Sequence, residues 1–153
     1  MQVNNWAVAE LAYLAGMVDA DGTVYLRVDP RNGKLSLRLS VVNTDRTIID
    51  WLLVHFGGHA YTSGSTGSKR QIANPIHKPL HHWHLGDGPA VPVLDAIAPY
   101  MVVKKARAEL GVEAWNNRTP TAIKDRRKPL PESVVALRAD YVERMHAFNK
   151  KGA

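Results

Sequence analysis

Two carboxylates, Asp19 and Asp21, stand two residues apart in "LAGMVDADG", Leu14 to Gly22, at the tail of an apolar segment with helical spacing. A helix C-terminus carries the equivalent of about half a negative charge, so acids are mildly disfavoured there and a lysine would be the more stable choice. Acid at that end invites a divalent cation, which takes oxygen ligands. The chain has no cysteine, which excludes disulfides, thiolate nucleophiles and cysteine-based zinc sites. His82 and His84 share a strand face and, with His77 and His81, offer a zinc reading. A solvated or nucleic-acid-facing strand accounts for the same histidines without a third ligand. No elbow motif activates a serine, and "GDG" at residues 86–88 reads as a turn, not a phosphate loop.

The acids sit at the end of a helix expected from Trp6 to Asp19, in which Leu11, Leu14 and Val18 recur on one face. Ala9, Ala12, Gly16 and Asp19 form another face of small residues that lets a second helix approach closely, and Gly22 stops the helix. "TVYLRVD" (Thr23 to Asp29) and "KLSLRLSVV" (Lys34 to Val42) alternate with period two around the turn signal "PRNG", which predicts a hairpin with one apolar and one polar, basic face. "NTDRTIIDWLLVHFGG" reads as a second helix, "HAYTS" and "HHWHL" as short strands joined by a long polar connection, and residues 89–97, 103–116 and 133–148 as further helices. The acidic motif occurs once and there is no internal repeat.

A length of 153 residues and 45% hydrophobic content fit one folded domain, 1–153, with a core over about 6–116 and a C-terminal helix over about 132–149. A net charge of +6 favours a polyanionic partner such as nucleic acid. The nearest membrane candidate, Trp6 to Val18, is interrupted by Glu10 and lacks a basic flank, so neither an anchor nor a signal peptide is expected; an intracellular location, cytoplasmic or organellar, is.

LAGMVDADG differs from LAGLIDADG only at Met17 and Val18, and the order helix, two strands, helix, two strands, helices follows over about residues 6 to 115. The chain resembles the LAGLIDADG homing endonucleases. The resemblance implies an α+β, αββαββα fold whose curved antiparallel sheet saddles double-stranded DNA while the motif helices of two folds pack together. One motif per chain then implies a homodimer with Asp21 of each copy side by side. It implies magnesium as cofactor, with manganese as a substitute and calcium supporting binding with little cleavage. Asp21 and the carbonyl of Ala20 become the metal ligands, with Asp19 either a hydrogen-bonding group behind them or a ligand itself. In "PYMVVKKARAEL" it implies a lysine acting on water or the phosphorane, Lys104 ahead of Lys105. Asp45 and Arg46 fall where the family arranges water, although Asp45 equally suits an N-cap.

A two-stranded ribbon fits the major groove and presents alternate side chains to base edges. That nominates Tyr25, Arg27, Asp29, Ser36, Arg38 and Ser40 for base reading, with Lys34, Lys69 and Arg70 as phosphate or groove contacts. The expected activity is site-specific hydrolysis of one phosphodiester per strand at a near-palindromic site, by a protein of mobile-intron type. The alternatives are a non-cleaving maturase or regulatory nucleic-acid binder on the same scaffold, and a protein-interaction domain whose association would not depend on salt.

Overall fold

The computed structural model of the chain describes residues 4–64, 78–119 and 127–151. The motif segment forms α1, Val8–Asp21, and the chain passes without a linker into β1, Gly22–Val28. β2, Leu35–Asn43, returns antiparallel to β1, and α2, Arg46–Phe56, follows it. β3 (His59–Ser63) and β4 (Leu80–Gly86) pair with each other, and β4 also pairs with β2. Helices α3 (Ala90–Ile97), α4 (Lys105–Asn116) and α5 (Glu132–Lys151) complete the described chain, with a single 3-10 turn at Ala98–Tyr100. This is the expected α+β order, with element ends shifted by up to three residues.

The four strands form one antiparallel sheet in the order β1-β2-β4-β3. Period-two alternation decides which face is buried: Val24 and Leu26, Leu35, Leu37, Leu39 and Val41, and Trp83 and Leu85 all point inward. There they meet Leu14, Ala15 and Val18 of α1, Ile49 and Leu52 of α2, Val93, Leu94 and Ile97 of α3, and Ala108 and Ala114 of α4. Each such Leu, Val or Ile contributes about 1.5–3 kcal/mol by leaving water. Trp83 is fully buried and satisfies its indole N–H on the Gly57 carbonyl at 2.7 Å. One face of the sheet therefore belongs to the helices and the other is left open.

The passage from α1 to β1 requires a glycine for lack of space. Gly22 is extended, at φ −87°, so no left-handed backbone is involved. A Cβ at Gly22 would lie 2.5 Å from the Val18 Cα, which is backbone and does not yield. At the far end of β1 the hairpin turn closes with Asp29 and Lys34 joined at 2.9 Å and Gly33 in the left-handed region at φ +69°. The Asp29 carboxylate accepts from the Arg31 amide and guanidinium at 2.9, 3.2 and 3.0 Å, stiffening the turn.

Candidate functional site

The two acids of the motif have opposite environments. Both oxygens of Asp19 are occupied: it accepts from the backbone N–H groups of Val102 at 2.7 Å, Val103 at 3.2 Å and Lys104 at 2.9 Å. These amides precede α4, so Asp19 ties the start of that helix to the end of α1. Partial burial pushes its pKa up, but the three amides and the Lys104 charge outweigh that and hold it below the ordinary aspartate value. Asp21, the last residue of α1, is exposed and accepts no hydrogen bond among the described residues. Ala20 beside it is exposed too, and its carbonyl belongs to the last turn, whose acceptors have no partner within the helix.

Lys104 closes the arrangement from below. It is 8% exposed, and its ammonium donates to the carbonyls of Val18 at 3.0 Å and Gly22 at 2.7 Å, straddling Asp19 and Asp21. Burial and the nearby Arg107 push its pKa down, while Asp19 and Asp21 pull it back up, with a net lowering. An ammonium has three donors, and the third finds no acceptor among the described residues. Lys105, the alternative, is exposed as the first residue of α4. Asp45 takes the N-cap position of α2, accepting from the Thr47 amide at 2.9 Å, which lowers its pKa. Arg46 pairs with Asp50 at 3.5 Å on the exposed face of that helix.

Asp19 yields a first prediction. Asp19→Asn removes the charge from three amide contacts and should cost about 1.5–3 kcal/mol of stability at neutral pH. Because the folded pKa is depressed, that contribution is present above the unfolded value and is lost as pH falls through the folded one. The gap between wild-type and variant urea midpoints should thus be full at pH 7 and shrink below about pH 4.

On the open face of the sheet, the cross-strand pairs Tyr25–Arg38, Arg27–Ser36 and Thr23–Ser40 stand side by side. The Arg38 guanidinium lies 5.7 Å from the centre of the Tyr25 ring. Ser40 is also paired with His84, which extends the face across β4 and β3 to His82, Tyr61 and His59. Tyr61 stacks on His82 with ring centres 4.4 Å apart, and Ser63 holds the His82 ring nitrogen at 2.8 Å. Burial lowers the pKa of both His82 and His84, followed by the charge of His81 for the first and Arg38 for the second, so both imidazoles are neutral near pH 7. Reading the hairpin alone nominated none of these four residues. The alternation of buried Trp83 and Leu85 with half-buried His82 and His84 was the available signal. Asp29 sits at the turn, and Lys34 pairs there with Asp87 at 3.3 Å. Lys69, Arg70 and His77 lie outside the described residues.

Along α1, Ala9, Ala12 and Gly16 are exposed on the face opposite Leu14 and Val18, and among the described residues nothing beyond the local helix backbone lies within 4 Å of where a Gly16 Cβ would stand. Exposed apolar side chains flank this stripe, with Val8 and Tyr13 on α1 itself and Val102 and Val103 near its end, where their amides meet Asp19. Tyr13 packs edge-on against Trp51 of α2 at 4.9 Å, so the Tyr13 side is a rigid aromatic ledge. The carboxylate of Asp19, at the end of this face, is engaged within its own chain.

By sequence, the chain matches no protein-family profile and no curated protein. By structure it is similar to the homing endonuclease I-CvuI in complex with its target in the presence of calcium, with 21% identity and a TM-score of 0.67 over 92% of this chain and 82% of that one. I-CvuI with the I-CreI target and magnesium, its DNA not cleaved, gives 19% identity and 0.69 over the same shares. The archaeal intron-encoded homing endonuclease I-Vdi141I complexed with DNA gives 15% and 0.55 over 87% and 96%. These neighbours are LAGLIDADG homing endonucleases, and the helix that ends in LAGMVDADG, followed by the open four-stranded sheet, gives this chain the LAGLIDADG homing endonuclease fold.

Proposed function

We propose that the chain is a site-specific double-strand DNA endonuclease that acts as a homodimer with a divalent cation. The observation that carries the reading is the contrast within the motif: Asp19 is fully hydrogen-bonded, whereas Asp21 is exposed and without a hydrogen-bond donor among the described residues, beside a buried lysine. A carboxylate held at a helix C-terminus against the dipole, with no hydrogen-bond donor among the described residues, suits a cation brought from outside.

The residues fit a hard cation shared with substrate. Among the described residues no three His, Cys, Asp or Glu side chains cluster around a metal position, so one chain supplies Asp21 and the Ala20 carbonyl alone. Phosphate oxygens and the same pair from a second copy complete an oxygen-only set, the chemistry of magnesium or manganese. Bound there, the cation supplies polarisation of the scissile phosphate and an activated water. Lys104, with one ammonium donor left over, lies at the motif end, where negative charge builds as the phosphodiester is attacked. Asp19 keeps Lys104 and α1 in register. Asp45 serves as the cap of α2.

Dimerisation is supported by the exposed stripe of Ala9, Ala12 and Gly16 and by its apolar flanks, the kind of patch that marks a protein–protein interface. Two-fold packing of α1 brings the two Asp21 residues together and sets the two sheets end to end. The basic face then offers Tyr25, Arg27, Ser36, Arg38 and Ser40 to base edges. Arg38→Ala should cost about 1–3 kcal/mol of binding and relax preference at one position of each half-site. The test is selection from a randomised DNA library with magnesium, scoring bound and cut molecules separately. Enrichment of one near-palindromic, cut sequence is expected; a sequence that is bound but never cut would replace the endonuclease with a regulatory binder.

A further inference from the structure

The C-terminal helix carries an arginine that the proposed chemistry does not use. Arg138 of α5 is 7% exposed, and no carboxylate lies against it among the described residues. Its guanidinium instead binds three neutral acceptors: the Gly33 carbonyl at 2.6 Å, the Arg118 carbonyl at 2.9 Å and the Thr119 hydroxyl at 3.1 Å. The first of these spans 105 residues of sequence and lands on the tip of the β1–β2 turn. Burying a guanidinium is costly unless its donors are satisfied, and these three acceptors come from separate points of the chain, so Arg138 holds those points together.

The packing around the turn gives the contact its importance. β1 is an edge strand, with β2 its only strand neighbour among the described residues. A cleft of about 630 Å³ separates its outer half from α5, with Leu26, Val28, Val135 and Val142 among its walls. Side-chain packing therefore does not fill the space behind the ribbon. Arg138 spans from helix to turn, aided by Leu130, whose Cδ1 lies 2.7 Å from where a Gly33 Cβ would be. The turn carries Asp29, Arg31 and Lys34, and its height over DNA depends on that strut.

We infer that Arg138 is a positioning residue for target recognition, setting the β1–β2 turn against DNA from behind so that α5 shapes sequence preference without touching a base. This rests on the reading of the sheet as a DNA-binding face. β1 runs for seven residues from Gly22 to Val28, about 20 Å, so the turn lies far from Asp21 and meets the outer positions of each half-site.

The experiment compares wild type, Arg138→Met, Arg138→Lys and Asn117→Ala by base-preference profiling of a randomised half-site library bound in calcium buffer. Asn117→Ala removes a 3.2 Å bond between α4 and the Tyr141 hydroxyl of α5 without touching the turn. Arg138→Met should lose about tenfold discrimination at the outer positions while the inner ones keep theirs, and its amides at residues 32–34 should exchange faster. Arg138→Lys should fall between it and wild type. Asn117→Ala should lower the unfolding midpoint and leave the profile unchanged. Equal loss at all positions, an unchanged Arg138→Met profile, or the same outer loss in Asn117→Ala would each overturn the inference. Failure of the wild type to select any sequence would instead overturn the DNA-binding reading and this inference with it.

Discussion

Asp21→Asn is expected to reduce cleavage by several orders of magnitude while leaving DNA binding intact. The substitution keeps the size and hydrogen-bonding capacity of an exposed side chain that supports no packing, so the fold should be unaffected. What it removes is the charge that would anchor a cation, and with it several kcal/mol of transition-state stabilisation. In metal-free buffer the variant should bind as tightly as wild type or more so, because a dimer would turn two fewer negative charges toward phosphate. The measurement is a gel that resolves bound from cut DNA, with magnesium and with chelator. Near wild-type cutting by the variant would reduce Asp21 to a helix terminator.

The second large effect is expected at Gly16. In a single chain the Cβ of a leucine there has open space, with no described atom beyond its own helix backbone within 4 Å, and replacing a mid-helix glycine favours the helix by up to about 1 kcal/mol. Gly16→Leu should therefore fold at least as well as wild type. In a dimer packed on the small-residue stripe, each copy would drive a bulky group into the other helix, at about 1–3 kcal/mol per insertion. Two insertions raise the dimer Kd by between about 30-fold and about 20 000-fold. Light scattering should then find monomers at concentrations where wild type is dimeric, and double-strand cutting should vanish with the dimer. A variant that stays dimeric would place the interface elsewhere.

The element order was legible because it is written in local periodicities: the alternation of Leu35 to Val41, the helical recurrence of Leu11, Leu14 and Val18, and the turn residues before Gly33. The acid that ends α1 was nominated for a different reason, a nine-residue string whose letters few ordinary helices share. What stayed hidden is whatever depends on partners distant in sequence. Asp19 binds amides 83 to 85 residues away; the motif resemblance left it open between a hydrogen-bonding group and a ligand, and no local pattern names those partners. Lys104 and Lys105 are adjacent and chemically identical; only the approach of Val18 and Gly22 to one of them separates a buried ammonium from a solvated one. Alternation within β4 put His82 and His84 on one strand face, but not beside Ser40 and Arg38; that follows from the pairing of β4 with β2, a strand order no single strand encodes. Arg138 sits in a helix whose charges otherwise face solvent, and its burial follows from a turn folded a hundred residues earlier.

The direct passage from α1 into β1 makes the molecule a ruler. Asp21 is the last residue of the helix and Gly22 the first of the strand, and the closeness of Val18 leaves no room for anything larger at the joint. On the proposed reading, the group that cuts and the ribbon that reads share one uninterrupted stretch of backbone, so the offset between them is a length and not a sequence. On that reading, substitutions at Arg27, Ser36 or Arg38 would rewrite the letters of the target while the bond to be broken stayed at the same count from them. Lineages of such a protein can drift to new sites without re-evolving where to cut, and an engineer who wants a different spacing must lengthen the joint itself.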